Sequence, residues 1–111
     1  MIDVHEYSIV GRVIEEAKKQ GSPKSVTVVI GDIAGITPEE FRHTFEHMAE
    51  WELEIETEKA RVKCNDCGLG GSPKVIAKLH DQCLIECPQC GSRWLKVISG
   101  GNVYLKSVKV K

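Results

Sequence analysis

Two C-x-x-C-G runs set the chemistry open to this 111-residue chain. The first is Cys64-Asn65-Asp66-Cys67-Gly68, the second Cys87-Pro88-Gln89-Cys90-Gly91, with nineteen residues between Cys67 and Cys87. Each C-x-x-C closes a tight turn that points two sulfurs and nearby N–H groups at one place. Gly68 and Gly91 suit the positive φ such turns need, and Pro88 fixes φ inside the second. Two such turns offer four thiolates, a closed tetrahedral site for a soft or borderline cation, and the doubled spacing points to structural zinc. Iron is also compatible, because rubredoxin-like turns read C-x-x-C-G and C-P-x-C-G. Disulfides would require an oxidising compartment. The start Met1-Ile2-Asp3 runs directly into a polar helical pattern with no signal peptide, so a cytoplasmic protein with reduced thiols is expected. The fifth cysteine, Cys83, alternates with Ile85 and Cys87 as on a strand and is expected to be a buried small hydrophobe.

The other metal-capable side chains are less organised. His43 and His47 stand four apart on a helical segment, opposite its apolar stripe, and read as a solvated face. His-Thr-Phe-Glu-His is not the H-E-x-x-H of a metalloprotease. His80 could complete a Cys3His set, but four well-spaced cysteines leave it unnecessary. Glu52, Glu54, Glu56 and Glu58 form a one-sided row that reads as the wet face of a strand. His5 lies in Val4-His5-Glu6-Tyr7-Ser8, at the start of the first helical pattern. No phosphate loop, catalytic triad or convergent acid–base pair is present, so the chain reads as a non-enzyme.

These groups need elements to place them. Ile9, Val10, Val13, Ile14 and Ala17 recur at helical spacing, and Gly21-Ser22-Pro23 ends that helix. Val26, Val28 and Ile30 mark a well-buried strand. Thr37-Pro38-Glu39-Glu40 predicts a helix start with Thr37 as N-cap, Pro38 in the first position and Glu40 closing a capping box. Phe41, Phe45, Met48 and Ala49 are the expected buried stripe of this second helix. Leu53, Ile55 and Thr57 then alternate with the glutamates as a strand. After the cysteine pairs, Trp94 to Ile98 suggests a short strand, Gly100-Gly101-Asn102 a turn, and Val103 to Val110 a last strand. The apolar parity of that last strand slips between Leu105 and Val108, as at a bulge. The expected fold is α+β, a small three-stranded sheet with two helices plus an inserted zinc-ribbon-like module. Residues 1–60, completed by a returning strand at 99–111, form one domain, and 61–98 form the inserted zinc-binding domain.

Composition limits the rest. Only 5% of residues are aromatic, too few for a stacking platform for single-stranded nucleic acid, and no apolar run approaches the length of a membrane helix. Net charge is −1. Residues 1–60 carry six Lys+Arg against thirteen Asp+Glu, a balance of −7, and residues 61–111 carry nine against three, a balance of +6. Part of the basic excess balances a four-thiolate centre, and the rest reads as solvated surface or as a surface for a different partner.

Taken together, the H-E-Y-S start, the T-P-E-E-F helix start, the doubled C-x-x-C insertion and the closing strand resemble the HypA family of hydrogenase-maturation nickel metallochaperones. The resemblance spans essentially the whole chain. It implies transient Ni(II) binding at His5, with Glu6 beside it, and structural Zn(II) on Cys64, Cys67, Cys87 and Cys90. It implies the GTPase HypB as partner and a nickel–iron hydrogenase large subunit as recipient, with urease accessory proteins as further candidates. No nucleic acid or membrane partner is implied, and the chain is expected to be a monomer or weak homodimer. Ni(II) favours nitrogen donors, which fits an imidazole beside backbone nitrogens. Members of the family begin Met-His-Glu, whereas here Met1-Ile2-Asp3 precede Val4-His5-Glu6. Valine's codon GUG is also a bacterial start read as methionine, so the physiological chain is expected to begin at position 4. Some relatives carry a histidine beside a C-x-x-C, linked to pH sensing, but glycine follows both pairs here. The alternatives are a zinc-ribbon nucleic-acid-binding module, resting on the basic second half, and a rubredoxin-like iron electron carrier.

Overall fold

The computed structural model describes residues 4–78 and 83–111. Expectations that concern residues 1–3 and His80 lie outside the described residues. Helix α1, Val4–Lys18, buries Val10, Val13, Ile14 and Ala17, the stripe its spacing predicts. Strand β1, Pro23–Gly31, follows, then helix α2, Pro38–Met48. The capping box at the start of α2 is formed. Thr37 Oγ1 accepts from the Glu40 amide at 3.1 Å, and Glu40 Oε1 accepts from the Thr37 amide at 2.9 Å.

Three strands make the body sheet, in the order β2-β1-β8. Strand β2, Glu52–Glu58, runs parallel to β1, and β8, Val103–Val110, runs antiparallel on its other side. The core lies between this sheet and the two helices, with Val26, Val28 and Ile30 of β1 against Val10, Ile14, Phe41 and Phe45. Phe41 and Phe45 stack at 6.2 Å, and Trp51 meets Phe45 edge-on at 6.2 Å. The parity slip in β8 is a register shift. Thr27 faces Ser107 while Val28 faces Leu105, so Lys106 is the extra residue.

Two expectations about burial are corrected. Met48 is 36% exposed, and its methyl group lies 3.6 Å from where a Cβ on Gly11 of α1 would sit. Ala49 is the C-cap of α2, in extended conformation and half-buried. Thr44 takes the place in the stripe, fully buried between Phe41 and Phe45. The glutamate row is not simply wet surface either. Both oxygens of Glu56 accept from Lys106 Nζ, at 2.9 and 3.0 Å, and Glu58 Oε2 accepts from Tyr104 Oη at 3.0 Å. These contacts reach from β2 to β8 across β1, on the face where Val29 is buried away from the helices.

Between β2 and β8 the described residues form five further strands. Strands β3 (Arg61–Cys64), β4 (Gly70–Gly71) and β7 (Leu95–Ser99) form a sheet in the order β4-β3-β7, and β5 (Lys74–Lys78) pairs with β6 (Cys83–Glu86) as a hairpin. The passages into and out of this region cross at Gly31, Ala60 and Gly100. A Cβ on Gly31 would lie 2.1 Å from Gly100 O, and one on Gly100, where φ is +80°, would lie 2.5 Å from Ala60 Cα. Asp32 and Glu58 tie the crossing. Asp32 Oδ2 accepts from the Ala60 amide at 3.3 Å, and Glu58 Oε1 accepts from the Gly100 amide at 2.9 Å.

Candidate metal centre

The four predicted cysteines meet. One sulfur from each of Cys64, Cys67, Cys87 and Cys90 lies within 4.8 Å of every other. The sulfurs of Cys64 and Cys90 are 3.6 Å apart, as are those of Cys67 and Cys87. Tetrahedral thiolates at a Zn–S distance of about 2.3 Å stand about 3.8 Å apart, so the donor set fits zinc without rearrangement of the backbone. Iron–thiolate bonds have similar lengths, and the geometry leaves the two open.

The local backbone explains why the sulfurs converge. In the first turn the Gly68 amide donates to Cys64 O at 3.0 Å, and in the second the Gly91 amide donates to Cys87 O at 2.9 Å. Gly68 and Gly91 have φ of +79° and +75°, the conformation expected of them. The Cys64 amide donates to Leu69 O at 2.9 Å and the Cys87 amide to Ser92 O at 2.8 Å, which closes each turn on itself. The first cysteine of each pair is buried at 2%, and the second is exposed. A tie between the turns escaped the sequence reading. Ser92 Oγ donates to Asp66 Oδ2, and the same hydroxyl accepts from the Trp94 amide at 3.0 Å. A serine directly after the second C-x-x-C-G and an aspartate inside the first pair were the available signal.

The thiols do not ionise alike. The Cys67 amide, against the opposing effect of desolvation, brings the Cys64 thiol down to about 6. The Cys90 amide similarly lowers Cys87. The Leu69 amide favours the Cys67 thiolate, but desolvation and the sulfurs of Cys87 and Cys64 outweigh it and raise Cys67. The Ser92 amide favours the Cys90 thiolate, yet desolvation and the other three sulfurs push Cys90 up to about 12. Four neighbouring sulfurs cannot all carry charge without a counter-charge, and a divalent cation supplies it.

The structure places Cys83 apart from this cluster and only half-buried on β6, not as the fully buried hydrophobe expected. His43 and His47 are exposed on α2 with ring centroids 4.8 Å apart, and His47 Nδ1 lies 2.9 Å from His43 O. Among the described residues they join no cluster of three or more metal-capable groups. His5 and Glu6 sit in the first turn of α1, both half-buried, and among the described residues join no such cluster. His5 Nε2 is out of contact with solvent. Glu6 Oε2 accepts from the buried Thr44 hydroxyl at 3.3 Å, which fastens the start of α1 to α2. Thr44 was missed because a threonine beside Phe45 gave no reason to be read as apolar, although its position three after Phe41 puts it on the buried face.

Comparison with known proteins agrees along the whole chain. Residues 4–110 match the sequence profile described as hydrogenase/urease nickel incorporation, metallochaperone, hypA. Hydrogenase maturation factor HypA of Aquifex aeolicus is 33% identical over 120 residues, covering 97% of this chain and 98% of that protein. The protein of the same name from Methanopyrus kandleri is 29% identical, covering 97% and 94%. In fold, the solution structure of the Ni metallochaperone HypA from Helicobacter pylori superposes with a TM-score of 0.65 at 23% identity, over 95% of this chain and 96% of that one.

Proposed function

The chain belongs to the HypA family of nickel-incorporation metallochaperones, and on that premise we propose that it carries Ni(II) at His5 for hydrogenase maturation while Cys64, Cys67, Cys87 and Cys90 hold structural Zn(II). HypA is a family of metal carriers rather than catalysts, so the chemistry to explain is selective binding and release. The observation that carries the reading is the family match beginning at Val4, with His5-Glu6 next in line, in the first turn of a helix fastened to α2 through Thr44.

The proposed nickel chelate uses His5 Nδ1, because Nε2 is out of solvent contact. Nδ1 and the backbone nitrogen of the same histidine close a small ring around one metal ion. Amides in the first turn of a helix have no intrahelical acceptor, so drawing such a nitrogen to a metal breaks no helical hydrogen bond. Nitrogen donors suit Ni(II), and few of them on the first turn of a helix make a site that can release as well as bind. Glu6 acts here by position, since its carboxylate is held by Thr44.

Zinc, when bound to the four thiolates, supplies a cross-link between two turns that are otherwise tied by Ser92 and Asp66. Residues 1–60 with 99–111 act as the nickel unit and 61–98 as the zinc unit. The recipient is a nickel–iron hydrogenase large subunit, with the GTPase HypB as the coupled partner and urease accessory proteins as further acceptors. No described helix is long and apolar enough to cross a membrane. Free thiols on all five cysteines fit a reducing compartment, and the cytoplasm is the proposed place of action. The test is Ni(II) titration of the zinc-loaded protein beside His5→Ala. Loss of the tight site with helix content and zinc unchanged supports the reading, and unchanged nickel affinity refutes it.

A further inference from the structure

The exposed side of α2 carries two imidazoles that the proposed nickel and zinc sites leave unused. His43 and His47 stand four residues apart on this 11-residue helix, so their side chains rise from one face with Cβ atoms about 5–6 Å apart. Phe41, Thr44 and Phe45 are buried on the other side and seat the helix on the core. The two ring centroids are 4.8 Å apart, with the planes tilted by 60°. Two imidazoles bound side by side to one ion, at a metal–nitrogen distance of about 2.0–2.1 Å, have centroids about 4.5–5.2 Å apart. The pair therefore already has the spacing of a chelate.

The proton on one ring fits as well. His47 Nδ1 lies 2.9 Å from His43 O, and a carbonyl only accepts, so Nδ1 carries the proton. Nε2 of the neutral ring is then the nitrogen with a lone pair. A backbone carbonyl that holds the second ring nitrogen is the common support of a ligating histidine. The surrounding charge favours a cation. Glu39 lies four residues before His43, Glu46 three after it and Glu50 three after His47, and all three are exposed. We propose that His43 and His47 form a second nitrogen site, which takes one divalent late first-row cation of the Ni(II) or Zn(II) kind through one ring nitrogen of each. Imidazole suits both cations. Among the described residues no third side chain joins the pair in a cluster, so water completes the coordination. The order His-Thr-Phe-Glu-His lacks the glutamate that follows the first histidine in H-E-x-x-H, so the pair binds metal without catalysing hydrolysis. Two protein donors make a weak, exchangeable site that fills after the four thiolates and after His5. The inference is independent of nickel binding at His5.

The zinc-loaded His5→Ala chain tests it, because its thiolates are filled and the proposed nickel residue is gone. Ni(II) alone and further Zn(II) alone are added in separate titrations, followed by nitrogen-15 NMR of the imidazoles. The signals of His43 and His47 should respond together, with one ion per chain. His43→Ala and His47→Ala should each weaken binding by roughly tenfold or more, because the second donor no longer acts within the same chelate. Arg42→His/His43→Ala keeps two histidines on α2 but sets them five apart, roughly 140° round the helix, and should bind no better than a single histidine. Residues 42, 43 and 47 are all exposed, and zinc content with far-ultraviolet circular dichroism reports that the variants are folded. A joint response of both rings to either cation meets the proposal and identifies the ion. No response to either cation overturns it. So does a response of one ring alone, or equal affinity in the variant with histidines five apart.

Discussion

At the scale of single residues, the four cysteines are unequal before a metal arrives. Cys64 is drawn down to about 6 by the Cys67 amide, while Cys90 is pushed up to about 12 by desolvation and its three sulfur neighbours, against the pull of the Ser92 amide. Near pH 7 the thiols of Cys67 and Cys90 are therefore protonated in the metal-free site, and Zn(II) must displace those protons. Calorimetric zinc titration in buffers of different ionisation enthalpy should show net proton release on zinc binding near neutral pH, the protons of Cys67 and Cys90 among them. Affinity should fall as pH falls, because protons then compete for every thiolate. Cys64→Ala and Cys90→Ala should lose stoichiometric zinc, whereas Cys83→Ser, outside the cluster, should keep it. Metal analysis after gel filtration distinguishes these outcomes. Retention of full zinc by either of the first two variants would remove that cysteine from the ligand set.

At the scale of elements, the crossing of Gly31, Ala60 and Gly100 joins the two halves of the chain. The 2.1 Å approach at Gly31 is to backbone, which cannot move aside as a flexible side chain can. Gly31→Ala should therefore destabilise by about 1–3 kcal/mol or more, read as a lower denaturant midpoint at unchanged slope. Gly100→Ala adds a positive-φ penalty to a contact of the same kind. Thr37→Ala should cost about 1 kcal/mol, because it removes the hydroxyl that accepts from the Glu40 amide, while the backbone amide of residue 37 can still donate to Glu40. The helices and the body strands were legible in the sequence because their signals are local. Period 3.6 marked α1, the T-P-E-E run marked the start of α2, and the parity slip between Leu105 and Val108 marked the bulge at Lys106. The crossing was not legible. It depends on residues 31, 60 and 100 meeting in space, and nothing in the local pattern of any one of them names the other two. The same holds for the bonds of Glu56 and Glu58 to Lys106 and Tyr104, which turned an apparently solvated row into a roof over β1.

At the scale of the whole molecule, the four-cysteine centre and the body sheet draw on different sources of stability. The body has a core of buried aliphatic and aromatic side chains, with Phe41, Phe45 and Ile30 almost wholly enclosed. Among the described residues, the region from β3 to β7 buries little beyond Val62, Cys64 and Cys87. Structural zinc sites in small modules contribute on the order of 10–16 kcal/mol of apparent binding energy, enough to decide whether such a region folds. Chelation should therefore remove amide protection from β3 and β7 while α1, β1 and α2 keep theirs, as hydrogen–deuterium exchange can show. Equal loss in both regions would mean that the body also depends on the metal. The candidate zinc site was readable because C-x-x-C-G carries its own geometry. The role proposed for His5 rests on the family resemblance, since a lone histidine near a chain start has no spacing to identify it.

The proposed function requires one chain to keep two metals on two separate donor sets, zinc on sulfur and nickel on nitrogen. X-ray absorption on protein carrying one equivalent of each metal examines both sites in a single sample. The zinc edge should show four sulfur scatterers at about 2.3 Å. The nickel edge should show nitrogen and oxygen donors with imidazole scattering that disappears in His5→Ala and survives in the His43→Ala, His47→Ala double variant. Sulfur scattering at the nickel edge, or an imidazole signal lost only with the α2 pair, would contradict this division of donors.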